Sequence, residues 1–293
     1  MYPSHIIITE VGLRDGLQNK PTFIPTSVKL DILARLVKAG LKRVQVTAFV
    51  SPRLVPQMSD SKEICLALKT LQTNNTEFSG LALNVKGVER AYECGLKHVD
   101  ISISADPVHS EKNTGMNLLQ GRKTMKNMIK RAHELKLKIH AGIQCAFGSA
   151  FNEIIPEARI YEMTCEIINE QVDSFGLFDT TGMAVPSKVK KMLDLLLPET
   201  DEIPFVFHFH DTYGNGTENV LSAMNCGISR FDTAFGGMGG CPFVPGAPGN
   251  ISTEEMVYKF NSLNITTGIN IKAIKECSEI MNEFLSNSIA NHT

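Results

Sequence analysis

The feature that most constrains the fold is a regular alternation of short apolar runs with longer segments of helical periodicity. Eight runs have the length and the β-branched or aromatic content of buried strands, at 5–11, 43–49, 78–84, 98–104, 138–145, 172–178, 205–210 and 230–234. Helices are predicted at 27–39, 62–71, 88–94, 118–135, 158–169, 187–197 and 218–226. Three of these helices end in a glycine, at Gly40, Gly95 and Gly227, as helix C-termini often do. The repeated strand–helix unit predicts an α/β fold, a single (β/α)8 TIM barrel. An open doubly wound sheet is disfavoured, because no GxGxxG follows the first strand.

Length and composition agree with one large catalytic domain. The chain has 293 residues, of which 43% are hydrophobic and 20% charged, with a formal net charge of −2. Barrels of this size are commonly a single domain, so we expect one domain over 1–293, with extra C-terminal helices at about 263–287. The near-neutral mixture of charges argues against a nucleic-acid partner, and no apolar run has the length of a membrane span.

The cysteines and the first residues of the chain indicate the cellular compartment of the protein. The seven cysteines form no CxxC pair, which favours free thiols in a reducing compartment. Residues 1–8 lack the features of a secretion signal, and no transit peptide is visible. We therefore expect a cytoplasmic protein.

Two histidines stand at the end of the seventh predicted strand. His208 and His210 are spaced i, i+2, so both side chains point to the same face of the strand. This spacing alone is weak evidence, because strand histidines are often hydrogen-bonded core residues. A closed barrel also brings Asp15, after strand one, and Asn250, after strand eight, next to them. One carboxylate, two imidazoles and an amide oxygen indicate a site for Mg²⁺, Mn²⁺ or Co²⁺ rather than a closed, sulfur-rich zinc site.

Two further residues follow strands at the same end of the barrel. Arg14 precedes the predicted ligand Asp15, and we expect it to stabilise negative charge on a substrate oxygen rather than only form a salt bridge. Cys241 lies in a glycine-rich loop after strand eight. Such a loop can close over a substrate and deliver a thiol as an acid or base, whereas a buried inert cysteine is the alternative. The other cysteines are predicted to pack in the core, with Cys145 left open.

Four segments together resemble the 3-hydroxy-3-methylglutaryl-CoA lyases, and the resemblance extends over essentially the whole chain. They are 9–19 (TEVGLRDGLQN), 49–58 (FVSPRLVPQM), 208–214 (HFHDTYG) and 237–254 (GMGGCPFVPGAPGNISTE). The resemblance implies that Mg²⁺ or Mn²⁺ is held by the four predicted ligands. It implies that Arg14 stabilises an enolate, and that Cys241 lies on a mobile loop and takes part in proton transfer. It also implies that Asp179 and Glu254 are acidic residues that support the site.

The implied reaction is a retro-Claisen cleavage of (S)-3-hydroxy-3-methylglutaryl-CoA to acetoacetate and acetyl-CoA, which belongs to leucine catabolism and ketone-body metabolism. The cation would bind the C3 hydroxyl and a carboxylate oxygen of the acyl-CoA substrate. Either Asp15 or a histidine-assisted water would then remove the hydroxyl proton. Substrate contacts are expected from Arg14, Gln18, Gln45, His140 and Thr180. By analogy with the family, we expect a homodimer.

Two positions depart from the family pattern. Gln45 stands where the family normally has a glutamate near the arginine, and His140 stands where human-like enzymes have an arginine. A glutamine cannot act as a base, and the lost charge changes the electrostatics of the pocket. Residues Lys86, Lys112 and Asn113 are predicted to lie in solvated loops after strands three and four, with contact to CoA as the alternative.

Three interpretations stay open from the sequence. The first is cleavage of 3-hydroxy-3-methylglutaryl-CoA itself. The second is the same cleavage of another branched 3-hydroxyacyl-CoA, or a related aldol cleavage. The third is a non-catalytic protein that binds a metal or an acyl-CoA. A synthase is disfavoured because no stretch is long enough to form a regulatory domain.

Overall fold

The computed structural model describes residues 1–71, 75–200, 203–240 and 249–290, with residues 288–290 described by their backbone alone. Eight parallel strands close into one barrel in sequence order, which confirms the predicted fold class. The strands are β1 (Ile7–Glu10), β2 (Arg43–Ala48), β3 (Glu77–Ala82), β4 (His98–Ser104), β5 (Lys138–Gln144), β6 (Ser174–Asp179), β7 (Phe205–Phe209) and β8 (Arg230–Thr233). Every strand begins and ends within two residues of its predicted bounds, because buried β-type runs specify position better than exact length.

The helices cover the outside of the barrel. They are α1 (Thr26–Lys38), α2 (Ser61–Leu68), α3 (Val85–Glu93), α4 (Pro107–Thr114), α5 (Leu118–Glu134), α6 (Glu157–Ile168), α7 (Pro186–Thr200), α8 (Gly216–Asn225), α9 (Thr253–Ser262) and α10 (Ile271–Ala290). The three predicted stop glycines, Gly40, Gly95 and Gly227, have φ angles of 97°, 87° and 89°. Their left-handed conformation is the one that favours glycine after a helix. None of the described helices is long and apolar enough to span a membrane.

The loop prediction for three residues is wrong. Lys86 belongs to α3, and Lys112 and Asn113 belong to α4, although all three side chains are exposed. The start signal of α4 is Asp106 followed by Pro107. The Asp106 carboxylate accepts hydrogen bonds from two backbone amides of the first turn, at 2.8 and 3.0 Å, and proline is favoured at the first helical position.

The eighth barrel helix, α9, was absent from the predicted helices. Ser252 caps it by accepting a hydrogen bond from the amide of Glu255 at 3.3 Å. The predicted C-terminal addition at 263–287 is a single helix, α10, which starts only at Ile271. It packs against α1 and α9 and buries Ile274, Cys277 and Met281.

The two faces of the strands differ in polarity. Outward-facing residues such as Val99, Phe175 and Phe207 are fully buried beneath the helices. Inward-facing residues are largely polar, among them Gln45 and Asp100, which line the cavity inside the barrel. Branched apolar side chains dominate most barrel interiors. The polar interior therefore already points to a site along the barrel axis.

Candidate active site

A cavity of about 160 Å³ opens at the C-terminal end of the barrel, where barrel enzymes carry their active sites. Its walls include Arg14, Asp15, His208 and His210. They also include the four other residues predicted to contact substrate, which are Gln18, Gln45, His140 and Thr180. The structure thus places all of these side chains around one cavity, and their roles remain predictions.

A short π-helical turn (Gly12–Gly16) carries Arg14 and Asp15. The amides of Arg14, Asp15 and Gly16 all donate to the carbonyl of Val11, at 3.0, 2.7 and 3.3 Å. Gly12 is required here, because a Cβ at this position would lie 2.5 Å from the ring of Phe235. The tight turn directs the Asp15 side chain back over the open end of the barrel.

Asp15, His208 and His210 form a buried triad that can hold a metal ion. The two histidine Nε2 atoms lie 3.1 Å apart, and they lie 3.9 Å (His208) and 3.7 Å (His210) from Asp15 Oδ2. Neighbouring ligands of an octahedral ion with bonds of about 2.1 Å are about 3 Å apart. The three donor atoms therefore fit one face of such a coordination shell with only small adjustments.

Asn250 lies beside this triad. Its Nδ2 donates to Asp15 Oδ2 and to the carbonyl of Met238, both at 2.8 Å. Its Oδ1 is buried and has no hydrogen-bond partner among the described residues. Gly239 makes room for this amide, because a Cβ there would lie 2.4 Å from Asn250 Nδ2. The free amide oxygen is the kind of atom that a fourth ligand needs.

The electrostatics of the triad favour a negative Asp15. Burial alone would raise the pKa of Asp15, but the Arg14 guanidinium, a hydrogen bond from His210 and the two nearby imidazoles hold it well below its usual range. Gln18 donates a further hydrogen bond to Asp15 Oδ1 at 2.9 Å. The carboxylate is thus ready to bind a cation over the whole neutral pH range.

Two carboxylates lie close behind the histidines. Asp232 Oδ2 is 3.3 Å from His208 Nδ1, the arrangement in which a carboxylate orients a metal-binding imidazole. Burial raises the pKa of Asp179 to about 7, against the opposing influence of His210. Asp179 Oδ2 and His210 Nδ1 are both buried without a hydrogen-bond partner among the described residues. The predicted supporting role of Asp179 stays a prediction.

Gln45 and His140, the two positions where the resemblance predicts a departure from the family pattern, both line the cavity. Gln45 accepts a hydrogen bond from Arg14 Nε and donates one to Asp100 Oδ2. His140 Nδ1 lies 2.9 Å from Ser174 Oγ, while burial lowers its pKa and favours the neutral ring. The residue at position 45 therefore joins Arg14 to an acidic residue on another strand.

Glu254 binds neighbouring protein groups and does not line the cavity. Its carboxylate accepts from the Gly236 amide at 3.0 and 3.1 Å and from the Ser252 hydroxyl at 3.0 Å, and Ser278 donates to it as well. These bonds fix the 3-10 turn (Phe235–Gly237) that starts the glycine-rich loop. The predicted Cys241 lies outside the described residues. Neither predicted role is tested by this geometry.

The predicted substrate contact Thr180 and the cysteine left open, Cys145, contact each other. Thr180 Oγ1 accepts a hydrogen bond from the amide of Cys145 at 2.9 Å, and Cys145 is buried with a φ of 55°. None of the described cysteines forms a disulfide, as expected.

Sequence reasoning missed three acidic residues. Asp100 and Asp232 line the cavity. Glu10 does not line it, and its carboxylate accepts hydrogen bonds from Gly12, Phe235 and Thr253 of α9 at 2.7, 3.0 and 2.7 Å. Burial raises the pKa of Glu10 to about 8. Each of the three is a buried carboxylate on a barrel strand, a combination that signals either a paired group or a site.

Comparisons with known proteins identify the family of this chain. The HMGL-like family model matches residues 5–281. The mitochondrial hydroxymethylglutaryl-CoA lyase of Bos taurus is 33% identical over 97% of this chain and 87% of its own length. The cytoplasmic 3-hydroxy-3-methylglutaryl-CoA lyase of Homo sapiens is 31% identical over 95% of this chain and 75% of its own length.

A solved structure extends the likeness to three dimensions. The HMG-CoA lyase of Acinetobacter baumannii, in complex with coenzyme A and 3-methylmalate, superimposes with a TM-score of 0.90 at 32% identity, over 97% of this chain and 92% of the other. The chain therefore belongs to the HMGL-like family, and it is an enzyme of the carbon–carbon lyase class.

Proposed function

We propose that this enzyme cleaves (S)-3-hydroxy-3-methylglutaryl-CoA to acetoacetate and acetyl-CoA with the help of a divalent cation, Mg²⁺ or Mn²⁺. The observation that carries the proposal is the buried triad of Asp15, His208 and His210 beside Arg14 at the mouth of the barrel. The relatives support the substrate class, because they are named as lyases of this compound and one of them binds coenzyme A.

Asp15, His208, His210 and Asn250 are the residues that would hold the cation. When bound, a divalent cation supplies Lewis acidity that lowers the pKa of a substrate hydroxyl and fixes its orientation. Asp232 fixes the ring of His208 through Nδ1, so that Nε2 faces the site. The orphaned Oδ1 of Asn250 completes the set of oxygen and nitrogen donors that suits Mg²⁺ or Mn²⁺.

The proposed reaction breaks the bond between C2 and C3 of the substrate. The C3 hydroxyl loses its proton, and C3 becomes the ketone carbon of acetoacetate. The electron pair of the broken bond moves onto the thioester as an enolate, whose oxygen Arg14 stabilises by donating hydrogen bonds. A proton then returns to C2 from the side of Cys241 and forms the methyl group of acetyl-CoA.

The sequence left two alternatives for the base that takes the hydroxyl proton, Asp15 and a histidine-assisted water, and we favour the water. Asp15 is a weak base, because Arg14 and the imidazoles hold its pKa well below its usual range and Gln18 also donates to it. We therefore keep Asp15 as a ligand, and the histidine-assisted water is the alternative that remains for the base.

The test is release of acetyl-CoA from 3-hydroxy-3-methylglutaryl-CoA with Mg²⁺ or Mn²⁺ and with EDTA. We expect release that requires the cation and that Cys241→Ala suppresses. The matched control is Cys226→Ala, a half-buried thiol at the end of α8, which should retain activity. Binding of the cation without any release would contradict the proposed function and favour the non-catalytic interpretation.

A different acyl group is a second candidate, favoured by the floor of the cavity. His140 presents a buried Nε2 without a hydrogen-bond partner among the described residues, and Asp100 adds a carboxylate close by. These groups would favour a branched 3-hydroxyacyl-CoA with a polar substituent. Comparing kcat/KM over a panel of 3-hydroxyacyl-CoAs decides between the two substrates. The expected homodimer and cytoplasmic location stay predictions.

A further inference from the structure

Gln45 is held between a donor and an acceptor at the floor of the cavity. Its Oε1 accepts from Arg14 Nε and its Nε2 donates to Asp100 Oδ2. A guanidinium group can only donate hydrogen bonds, and an ionised carboxylate can only accept them. The two neighbours therefore fix which end of the amide faces which partner. Gln45 is only 4% exposed and Asp100 only 5%, so water is largely excluded from both contacts.

Asp100 has no cation in direct contact among the described residues. The groups that donate to its Oδ2 are the Gln45 amide and the Ser79 hydroxyl, the latter at 2.6 Å, and both are uncharged. The guanidinium that its hydrogen bonds reach is that of Arg14, one amide away. A buried carboxylate without an ion pair is costly unless another group benefits from its charge.

We propose that Asp100 is a positioning residue for Arg14, acting through Gln45, and that position 45 must be an amide because position 100 is a carboxylate. A glutamate at position 45 would place two carboxylates in contact at a buried position. It would satisfy both neighbours only by taking up a proton, and turning away would break the bond to Arg14. Asp100 thus supplies, one residue farther from Arg14, a negative charge that the glutamine at position 45 does not have.

The geometry gives this network a role in catalysis. Arg14 Nε is bound to Gln45 and Nη1 is bound to Asp15, so two edges of the guanidinium are fixed. The N–H groups that remain are the ones available to a substrate oxygen at the cavity. A test of this inference by kinetics rests on the proposed function. A test that observes the Arg14 side chain directly by NMR does not.

The kinetic test compares Gln45→Glu, Asp100→Asn and the double substitution. We expect each single change to lower kcat about tenfold or more, with a smaller effect on KM, because the guanidinium is misplaced. The double substitution should recover most of the loss, since a carboxylate at position 45 then accepts from both Arg14 and the amide introduced at position 100. If the loss of kcat in the double variant equals the product of the two single losses, the two positions are not coupled and the proposal is overturned.

A spectroscopic test reads the contact without any turnover. The ¹⁵N–¹H resonance of Arg14 Nε, assigned by its loss in Arg14→Lys, should shift in both single variants and return close to its original position in the double variant. An unmoved resonance in Gln45→Glu would overturn the inference even in an active enzyme. An inactive wild-type enzyme that shows the expected shifts would contradict only the proposed function.

The controls are matched in chemistry and remote from the site. Gln120→Glu and Asp194→Asn make the same changes on the exposed faces of α5 and α7, and neither should alter kcat or the Arg14 resonance. If Gln45→Glu does not fold, Gln45→Met removes both contacts at similar length and must shift the same resonance. An Arg14 signal that stays in place in Gln45→Met would likewise count against the proposal.

Discussion

The two ends of this barrel carry similar residues in opposite arrangements. At the N-terminal end of the strands, Arg43 pairs with Glu77 at 3.2 Å and Lys138 pairs with Asp173 at 2.7 Å, in contacts partly open to solvent. At the C-terminal end, buried polar atoms lack hydrogen-bond partners among the described residues. They include His210 Nδ1, Asn250 Oδ1, Asp179 Oδ2 and, at the cavity floor, His140 Nε2.

The difference separates a structural end from a functional one. Buried polar groups without partners cost stability, so a protein retains them where a ligand or an ion completes their bonds. Charges that pair with each other in solvent have no such requirement. The same residue types therefore indicate a functional site at one end of the barrel and ordinary surface at the other. Making the same substitution at both ends tests this difference.

The largest expected effect is the loss of Arg14. We expect Arg14→Gln to lower kcat by about 10²–10³-fold, the range seen when one donor to a developing oxyanion is removed. The matched substitution Arg43→Gln at the opposite end should leave kcat close to that of the wild type, because Arg43 itself does not line the cavity beside the metal triad. Steady-state kinetics on the proposed substrate measures both.

Equal losses in the two arginine variants would remove the basis for this comparison. Circular dichroism and thermal unfolding should be measured alongside, because a misfolded protein also loses activity. With both variants folded, an active Arg14→Gln would mean that this guanidinium does not stabilise the reacting oxygen.

The next effect concerns the orientation of a histidine. Asp232→Asn keeps the size of the side chain but removes the carboxylate that lies 3.3 Å from His208 Nδ1. We expect cation affinity to fall by about 10–100-fold, as for other carboxylates that orient metal-binding histidines. Asp173→Asn at the N-terminal end is the control and should leave affinity unchanged. Titration with Mn²⁺, followed by electron paramagnetic resonance, gives both dissociation constants.

A third effect appears in the pH dependence of stability. Burial raises the pKa of Glu10 from 4.5 to about 8, so between these values the folded state binds more protons than the unfolded state. The free energy of unfolding should therefore fall as pH rises through this window, by about 1.4 kcal/mol per pH unit from this group. Glu10→Gln, which resembles the protonated form, should lose that part of the slope.

Urea unfolding at several pH values between 5 and 8 measures the slope. The control is Glu93→Gln, an exposed residue of α3, which should retain the full slope of the wild type. Asp179 contributes in the same direction in every variant, because its pKa is also raised, to about 7. A slope that is identical in Glu10→Gln and in the wild type would show that Glu10 is ionised in the folded protein.

Local patterns were sufficient to predict the barrel and the position of its open end. Apolar runs, helix starts and stop glycines each depend on neighbouring residues, so the strands and most helices follow from the sequence. The helix α4 was missed because its eight residues are mainly polar and show no apolar period. The Gln45–Asp100 contact could not be foreseen, because it joins strands 55 residues apart across the barrel interior. Such a contact depends on register and closure rather than on any local motif.

The smallest expected effect is the coupling between Arg43 and Glu77. The two side chains are 17% and 49% exposed, so solvent screens their attraction, and a double-mutant cycle with Arg43→Gln and Glu77→Gln should give about 0.5 kcal/mol or less. Urea unfolding of the four proteins measures it. The Arg14–Asp15 pair, with exposures of 11% and 9%, has less solvent to screen it. A coupling at the N-terminal end well above 1 kcal/mol would mean that this end is also preorganised, and the contrast between the two ends would then rest on catalysis alone.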